Sequence, residues 1–311
     1  MYVMKKMYCT IATIAIIVSI LGAIVFSACS KDGNEINSNS PSSGTKNSNE
    51  LISYTGETFF ENPNYTNEYE NIGIYHNYLM DCISHEWLND DVETTETDFL
   101  DFVANRFQQI DGYSTIINYD AIINEIRTSL FQNSSEEYSA ENPDDLLVEE
   151  LLAGGDYDSF LADIDDCINN SLDTTELMHN FDVIAQKVSN STYTDDVKEM
   201  YLIYCAVSKY SVMNVVHICM DPTSGFYQYL FSDNDSKESV LSKVRKTLKE
   251  HPIAAADARG AVIGGATCAR YGVAGGPAGV AVTTVAGAAV RGACSSALKA
   301  ARNEIINQIR N

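Results

Sequence analysis

Residues Arg259–Gly292 read RGAVIGGATCARYGVAGGPAGVAVTTVAGAAVRG, an almost uncharged block near the end of a chain with formal net charge -23. Within it Gly260, Gly264, Cys268, Gly272 and Gly276 recur every four residues. After Pro277, Gly279, Thr283 and Gly287 repeat the spacing. On a helix, positions four apart lie one above the other, so each run draws a narrow strip nearly devoid of side chains. An interior glycine costs a helix about 1 kcal/mol relative to alanine. Such a strip is therefore expected where a second helix approaches closely enough to compensate through backbone dispersion contacts. Gly275–Pro277 interrupts the first run, which predicts a helical hairpin with tightly packed limbs.

Upstream of the block the apolar spacing is also helical. Ile72, Tyr75, Leu79, Cys82 and Ile83 share one face, and so do Phe99, Val103, Phe107 and Ile110, with Thr94 or Thr95 placed as N-cap. The stretch at 119–131 continues the pattern. Asn142 and Pro143 open the next helix, and Gly154 closes it. Two more helices follow, the second carrying Leu177, Phe181, Ile184 and Val188 in register. The run from Asp195 to Cys219 is apolar on several faces and is expected to be the longest helix and the buried axis, capped by Thr194. After a turn at Asp221–Gly225, a basic amphipathic helix presents Val240, Val244 and Leu248. No strand pair, hairpin turn or fixed-period repeat is found. The fold class predicted is all-α: a single helical-bundle ectodomain at 51–250 and a Gly/Ala-rich helical hairpin with a C-terminal helix at 251–311.

The amino terminus has a different character. Lys5 and Lys6 precede an apolar run from Cys9 to Val25, followed by Phe26, Ser27, Ala28 and Cys29. FSAC resembles the lipobox of bacterial lipoprotein precursors, with Phe26 where that family usually has a smaller aliphatic residue. The resemblance implies a signal peptide at 1–28, cleavage before Cys29, and lipidation of Cys29 with fatty acyl chains such as palmitate. An uncleaved anchor helix and a signal without lipid are the competing readings. Residues 29–50 are rich in Ser and Asn and are expected to form a disordered tether. Ser30–Glu35, SKDGNE, is similar to the Lys-acidic tails of surface-exported lipoproteins. The localisation implied is the outer membrane, lipid-anchored and surface-exposed. GIYHNYL, Gly73–Leu79, also resembles a stretch of uncharacterised bacterial lipoproteins, and implies no activity.

Charge restricts the partners. Residues 31–250 hold 12 basic and 41 acidic residues, whereas 251–311 hold six basic and two acidic ones. So acidic a surface repels nucleic acid, which is excluded as a partner. The partners expected are a membrane, through acylated Cys29, and a membrane or second copy of the chain, through the hairpin. The hairpin pattern resembles glycine-zipper segments of bacterial membrane-associated proteins and small pore-forming peptides, a likeness of packing style alone.

Chemistry-bearing clusters are sparse. His76, Asp81, Cys82, His85 and Glu86 fall on one helix, with Asp81–His85 and Cys82–His85 at helical spacing. They are weak metal candidates, since HEWLN lacks the second histidine of a zinc-protease motif. No cofactor and no catalytic residue is assigned. The rival function is a secreted or anchored hydrolase or metal-dependent enzyme using this helix. A third is a membrane-active antagonism factor kept soluble by the acidic domain. Cys82, Cys167, Cys205, Cys219, Cys268 and Cys294 permit disulfides in an exported protein, and one or two are expected at most.

Overall fold

In the computed structural model, residues 67–88, 96–110, 113, 116, 118–131, 143–231 and 238–310 are described. Cys29 and the FSAC stretch, the signal peptide expected at 1–28, the tether expected at 29–50, and the caps expected at Thr94 or Thr95 and at Asn142 lie outside them. The helices in chain order are α1 (Glu70–Cys82), α2 (Glu96–Gln108), α3 (Tyr119–Phe131), α4 (Pro143–Leu152), α5 (Tyr157–Asn170) and α6 (Thr174–Ser189). Then follow α7 (Asp195–Met220), α8 (Tyr227–Leu230), α9 (Val240–Glu250), α10 (Ile253–Ala269) and α11 (Gly276–Arg310). No strand occurs among the described residues, and the fold is all-α.

The core is arranged around α7. From Tyr201 to Met213 every residue is buried, so this helix is apolar all round because it is covered all round. The hairpin limb α10 lies along it, and α1, α6 and α9 pack around it. Thr194 stands at the N-cap of α7, but its side chain makes no capping hydrogen bond; Asp195 and Asp196 in the first turn supply the charge that suits this end. The longest helix is not α7 but α11, at 35 residues, and it kinks at Ala301 (φ -132°, ψ 32°). Sequence pattern misses its length because Gly and Ala give little amphipathic contrast.

The peripheral helices begin where their side chains make them begin. Asp156 accepts from the Ser159 N–H (3.1 Å) to cap α5, and Asp173 accepts from the Glu176 N–H (2.9 Å) to cap α6. Ser239 caps α9 through the Ser242 N–H (3.2 Å). The buried face of α9 is Leu241, Val244 and Thr247, while Val240 is exposed, a shift of one position from the expected face. Arg245 donates from Nε to the Ile168 carbonyl (2.9 Å) and from a terminal nitrogen to the Ser171 carbonyl, which closes the carboxyl end of α5.

α1 runs directly into a π-helical turn at Ile83–Trp87. This turn holds the loop after α7: Ser84 Oγ lies 2.8 Å from Ser224 Oγ and accepts from the Gly225 N–H (2.9 Å). A Cβ on Gly225 would collide with the Ser84 carbonyl, so only glycine permits the approach. All six cysteines within the described residues are unpaired, and five of them are buried. They serve as small apolar core residues, and the expected bridge is not formed.

Candidate functional site

The hairpin formed by α10 and α11 divides into a base built into the core and a tip that projects from it. At the base, a Cβ on Gly264 would sit far inside 3.0 Å of the Gly287 carbonyl oxygen, and one on Gly287 would equally strike the Gly264 carbonyl. Cys268 lies over Gly287, its Cβ and Sγ 2.5 and 2.6 Å from where a Gly287 Cβ would be. Toward the carboxyl end of α11, Gly260 faces Ser295, with the Ser295 Cβ 2.9 Å from the site of a Gly260 Cβ. Toward the turn, Gly272 and Gly279 each abut the other's carbonyl, and Thr283 Oγ1 lies 2.5 Å from the site of a Gly272 Cβ. Thr283 donates back to the Gly279 carbonyl (3.1 Å) within its own helix. The small-residue strips of the two limbs therefore meet each other within one chain.

Gly276 has a different role from the rest of its series. Its φ is +68° and nothing lies within 4 Å of where its Cβ would be. It makes the turn rather than the packing strip, because the chain reverses there through a 3₁₀ turn at Arg270–Gly275. Pro277 follows in the first turn of α11, where a missing N–H costs nothing.

Three polar side chains fasten the base. Asp257 of α10 and His76 of α1 are both fully buried, with Asp257 Oδ2 3.2 Å from His76 Nε2. Ser211 of α7 donates to the same carboxylate oxygen. Asp257 thus joins the hairpin to two other helices through one oxygen. Arg291 of α11 is 1 % exposed and stands close enough to Cys268 and Cys294 to pull both thiols down, against burial, which pushes Cys268 up to about 12. Asp257, Ser211 and Arg291 were not singled out from sequence. The available signal is position: Asp257 lies three and seven residues before Gly260 and Gly264, on their face of the helix.

The tip is different in kind. Gly272 is buried, but Val273 is 67 % exposed, and Ala274, Gly275, Pro277, Ala278 and Ala281 are exposed. Tyr271 to Val290 contains no charged residue. The flanking Arg270 is 58 % exposed and pairs with Glu125 of α3 at 2.7 Å. Tyr271 donates to the same Glu125 oxygen (3.0 Å), and its carbonyl accepts from Asn118 (3.3 Å). Arg270 also lies 5.0 Å over the Tyr271 ring. One carboxylate therefore tethers the root of the tip to α3.

The sequence candidates on α1 separate when placed in space. His76 faces inward to Asp257, and its neighbour Asn77 donates to the Tyr210 carbonyl (2.8 Å). Gly73 lies against Tyr210 and Ala206 so closely that a Cβ would fall 2.5 Å from the Tyr210 ring. The stretch Gly73–Leu79 is thus the seam between α1 and its neighbours. Asp81 and His85 lie 3.3 Å apart on the outer side, and burial raises the Asp81 carboxyl against the pull of His85 and His217. Cys82 is buried, its thiol raised to about 12 by desolvation. Glu86 pairs with Arg106 of α2. Among the described residues no group of three or more His, Cys, Asp or Glu side chains is arranged to hold a metal ion.

A second buried charge cluster ties α1 and α6 to α7. Lys209 donates to Glu70 (2.8 Å) and Asp182 (2.6 Å), and Tyr210 donates to Glu70 (3.2 Å). Desolvation lowers the Lys209 pKa, but the hydrogen bonds to Asp182 and Glu70 outweigh it and the net shift is upward. Comparison of the chain with protein-family models, curated proteins and solved structures finds no match.

Proposed function

We propose that this chain is a lipid-anchored protein of the bacterial outer membrane, displayed at the cell surface, which acts by association rather than catalysis. Cys29 carries the acyl chains, residues 29–50 form the spacer, and the helical domain presents the hairpin tip. The observation that carries the reading is the division of the hairpin. Its glycine strips are used up between α10 and α11, while the uncharged tip around Val273 is left facing outward. A free glycine strip would have favoured zipper-type oligomerisation; this one already has its partner.

The α1 candidates give the enzyme reading little support, because His76 is fully buried and Glu86 is engaged with Arg106. The anchor is tested by expressing the chain and its Cys29→Ser variant in a Gram-negative host. Metabolic labelling with an alkyne fatty acid should mark only the parent, and the variant should leave the membrane fraction. Protease added to intact cells should digest the parent. Continued membrane recovery of the variant would point to an uncleaved helix and refute the lipoprotein assignment.

A further inference from the structure

We infer that the hairpin tip, Arg270–Val282, is a bilayer-contacting wedge, held back at its root by Glu125. The inference rests on the lipid-anchor reading for its occupant, and deepens it by assigning the face that meets lipid. Thirty-seven residues lie between Cys29 and Asn67, where the described fold begins, a span of at most about 130 Å even when fully extended. A domain of this size has a radius of gyration of about 18 Å. An acylated chain therefore keeps the domain within reach of the bilayer it is anchored in.

Which face approaches lipid is decided by charge. The acidic residues of the domain are repelled by anionic headgroups. The tip carries no acid; its one charge is the cation Arg270, and beside it stands Tyr271. An arginine and a tyrosine next to exposed Val273, Ala274 and Pro277 are the chemistry of the membrane interface: a cation and an aromatic hydroxyl at headgroup level, apolar side chains below. The tip folds back at Gly276, so about six residues on each side descend, a depth of about 10 Å at helical rise. That depth matches an in-plane interfacial element and falls short of the roughly 30 Å hydrocarbon core. Deeper entry would drag Asp257 and Arg291, both buried in the base, toward hydrocarbon, where charged side chains are costly. The base thus limits penetration, and the wedge contacts one leaflet without crossing.

Glu125 opposes this contact. Its carboxylate takes both the Arg270 guanidinium (2.7 Å) and the Tyr271 hydroxyl (3.0 Å), the two groups that would otherwise meet headgroups. It also places a negative charge beside the root of the tip.

The test uses residues 29–311 with Cys29→Ser, which lacks both the apolar leader and the acylation site, so vesicle binding reports the tip alone. The probe is a 3:1 phosphatidylethanolamine–phosphatidylglycerol vesicle at millimolar lipid. The chain has one tryptophan, Trp87, which is buried, so Val273→Trp adds an exposed reporter on a constant background. Its emission should shift to shorter wavelength with vesicles, and Val273→Asp should float with vesicles at least ten-fold less than the parent. Glu125→Gln should raise the bound fraction about two- to five-fold, the range expected for loss of an exposed ion pair. An unshifted Val273→Trp spectrum together with equal flotation of Val273→Asp would overturn the wedge, whatever becomes of the Cys29 labelling. So would a shift that appears without vesicles and follows protein concentration, which would assign the tip to a second copy of the chain. Unchanged binding by Glu125→Gln would overturn the restraint.

Discussion

Replacing Gly264 with alanine sets two opposing effects against each other, and the sign of the result tests the packing of the hairpin. Gly264 lies inside α10 with helical backbone angles, so alanine should strengthen the isolated helix by about 1 kcal/mol. Against that, the new Cβ would stand far inside 3.0 Å of the Gly287 carbonyl oxygen and 2.8 Å from the Arg291 Cβ. A backbone carbonyl cannot turn aside as a side chain can, so the limbs must part by about 1 Å. A gap of that size forfeits a quarter to a half of each dispersion contact it opens. The loss falls on the Gly260–Ser295 and Gly272–Gly279 pairs as well as on Gly264–Gly287. Overpacking of this kind costs about 1–3 kcal/mol or more, and we place Gly264→Ala at its upper end. After the propensity gain, the net loss is about 2 kcal/mol. For a domain of this size that lowers Tm by about 4–8 °C. Gly265→Ala is the internal control, because its Cβ would meet only side chains, Thr284 Cγ2 at 3.3 Å and Ala288 Cβ at 3.6 Å. It should leave Tm unchanged or raise it by about 2–3 °C. Thermal unfolding followed by far-ultraviolet circular dichroism measures both. A Gly264→Ala protein as stable as its parent, or more so, would refute close packing of the limbs.

Four further outcomes follow from the buried groups. In residues 29–311 with Cys29→Ser, an aromatic disulfide reagent should titrate at most one thiol rapidly, the half-buried Cys219, and all six in urea; prompt reaction of two or more would contradict the packing of the others. Lys209→Met should cost about 3–5 kcal/mol, because it leaves Glu70 buried without its cation, and the urea midpoint reads it. Stability should also fall as pH rises above about 10. The Lys209 pKa is raised in the folded chain, so its contribution is full below the ordinary value of 10.5 and is lost as pH rises from there through the higher folded value. Burial likewise raises the phenols of Tyr119 and Tyr204 above their ordinary value of 10.0, so alkali ionises them more readily in the unfolded chain and acts in the same direction. A urea midpoint flat from pH 9 to 11 would contradict both. Asp257→Ala removes the acceptor of the buried Ser211 hydroxyl and should cost about 2 kcal/mol by the same assay.

The helices were legible because each local signal agreed with its neighbours. Phe99, Val103, Phe107 and Ile110 are buried as their spacing requires, and the strip from Gly264 to Gly272 takes part in a close helix contact, its partner being the strip from Gly279 to Gly287, while Gly260 faces Ser295. Covalent sequence is sufficient for such features, since helical period and the cost of glycine act over a few residues. Gly276 belongs to the strip by its spacing and to the turn by the Gly275–Pro277 interruption, and the structure gives it the turn alone. The weak metal candidates on α1 part company for a related reason. His76 and Glu86 share a helix in sequence, but the faces they occupy are assigned by α10 and α2, which arrive from elsewhere in the chain.

By itself the sequence determined an all-α chain, the concentration of acidic residues in 31–250, and side-chain-poor strips near the carboxyl end. Only the tertiary structure decided that those strips pack on each other, that Asp257 and Arg291 are buried at the base, and that Val273 faces outward above Glu125. The reason is physical: a helix specifies its own stripes through bonds three and four residues apart, whereas which stripe is covered depends on contacts between separate elements, 23 residues apart for Gly264–Gly287 and 146 for Tyr271–Glu125.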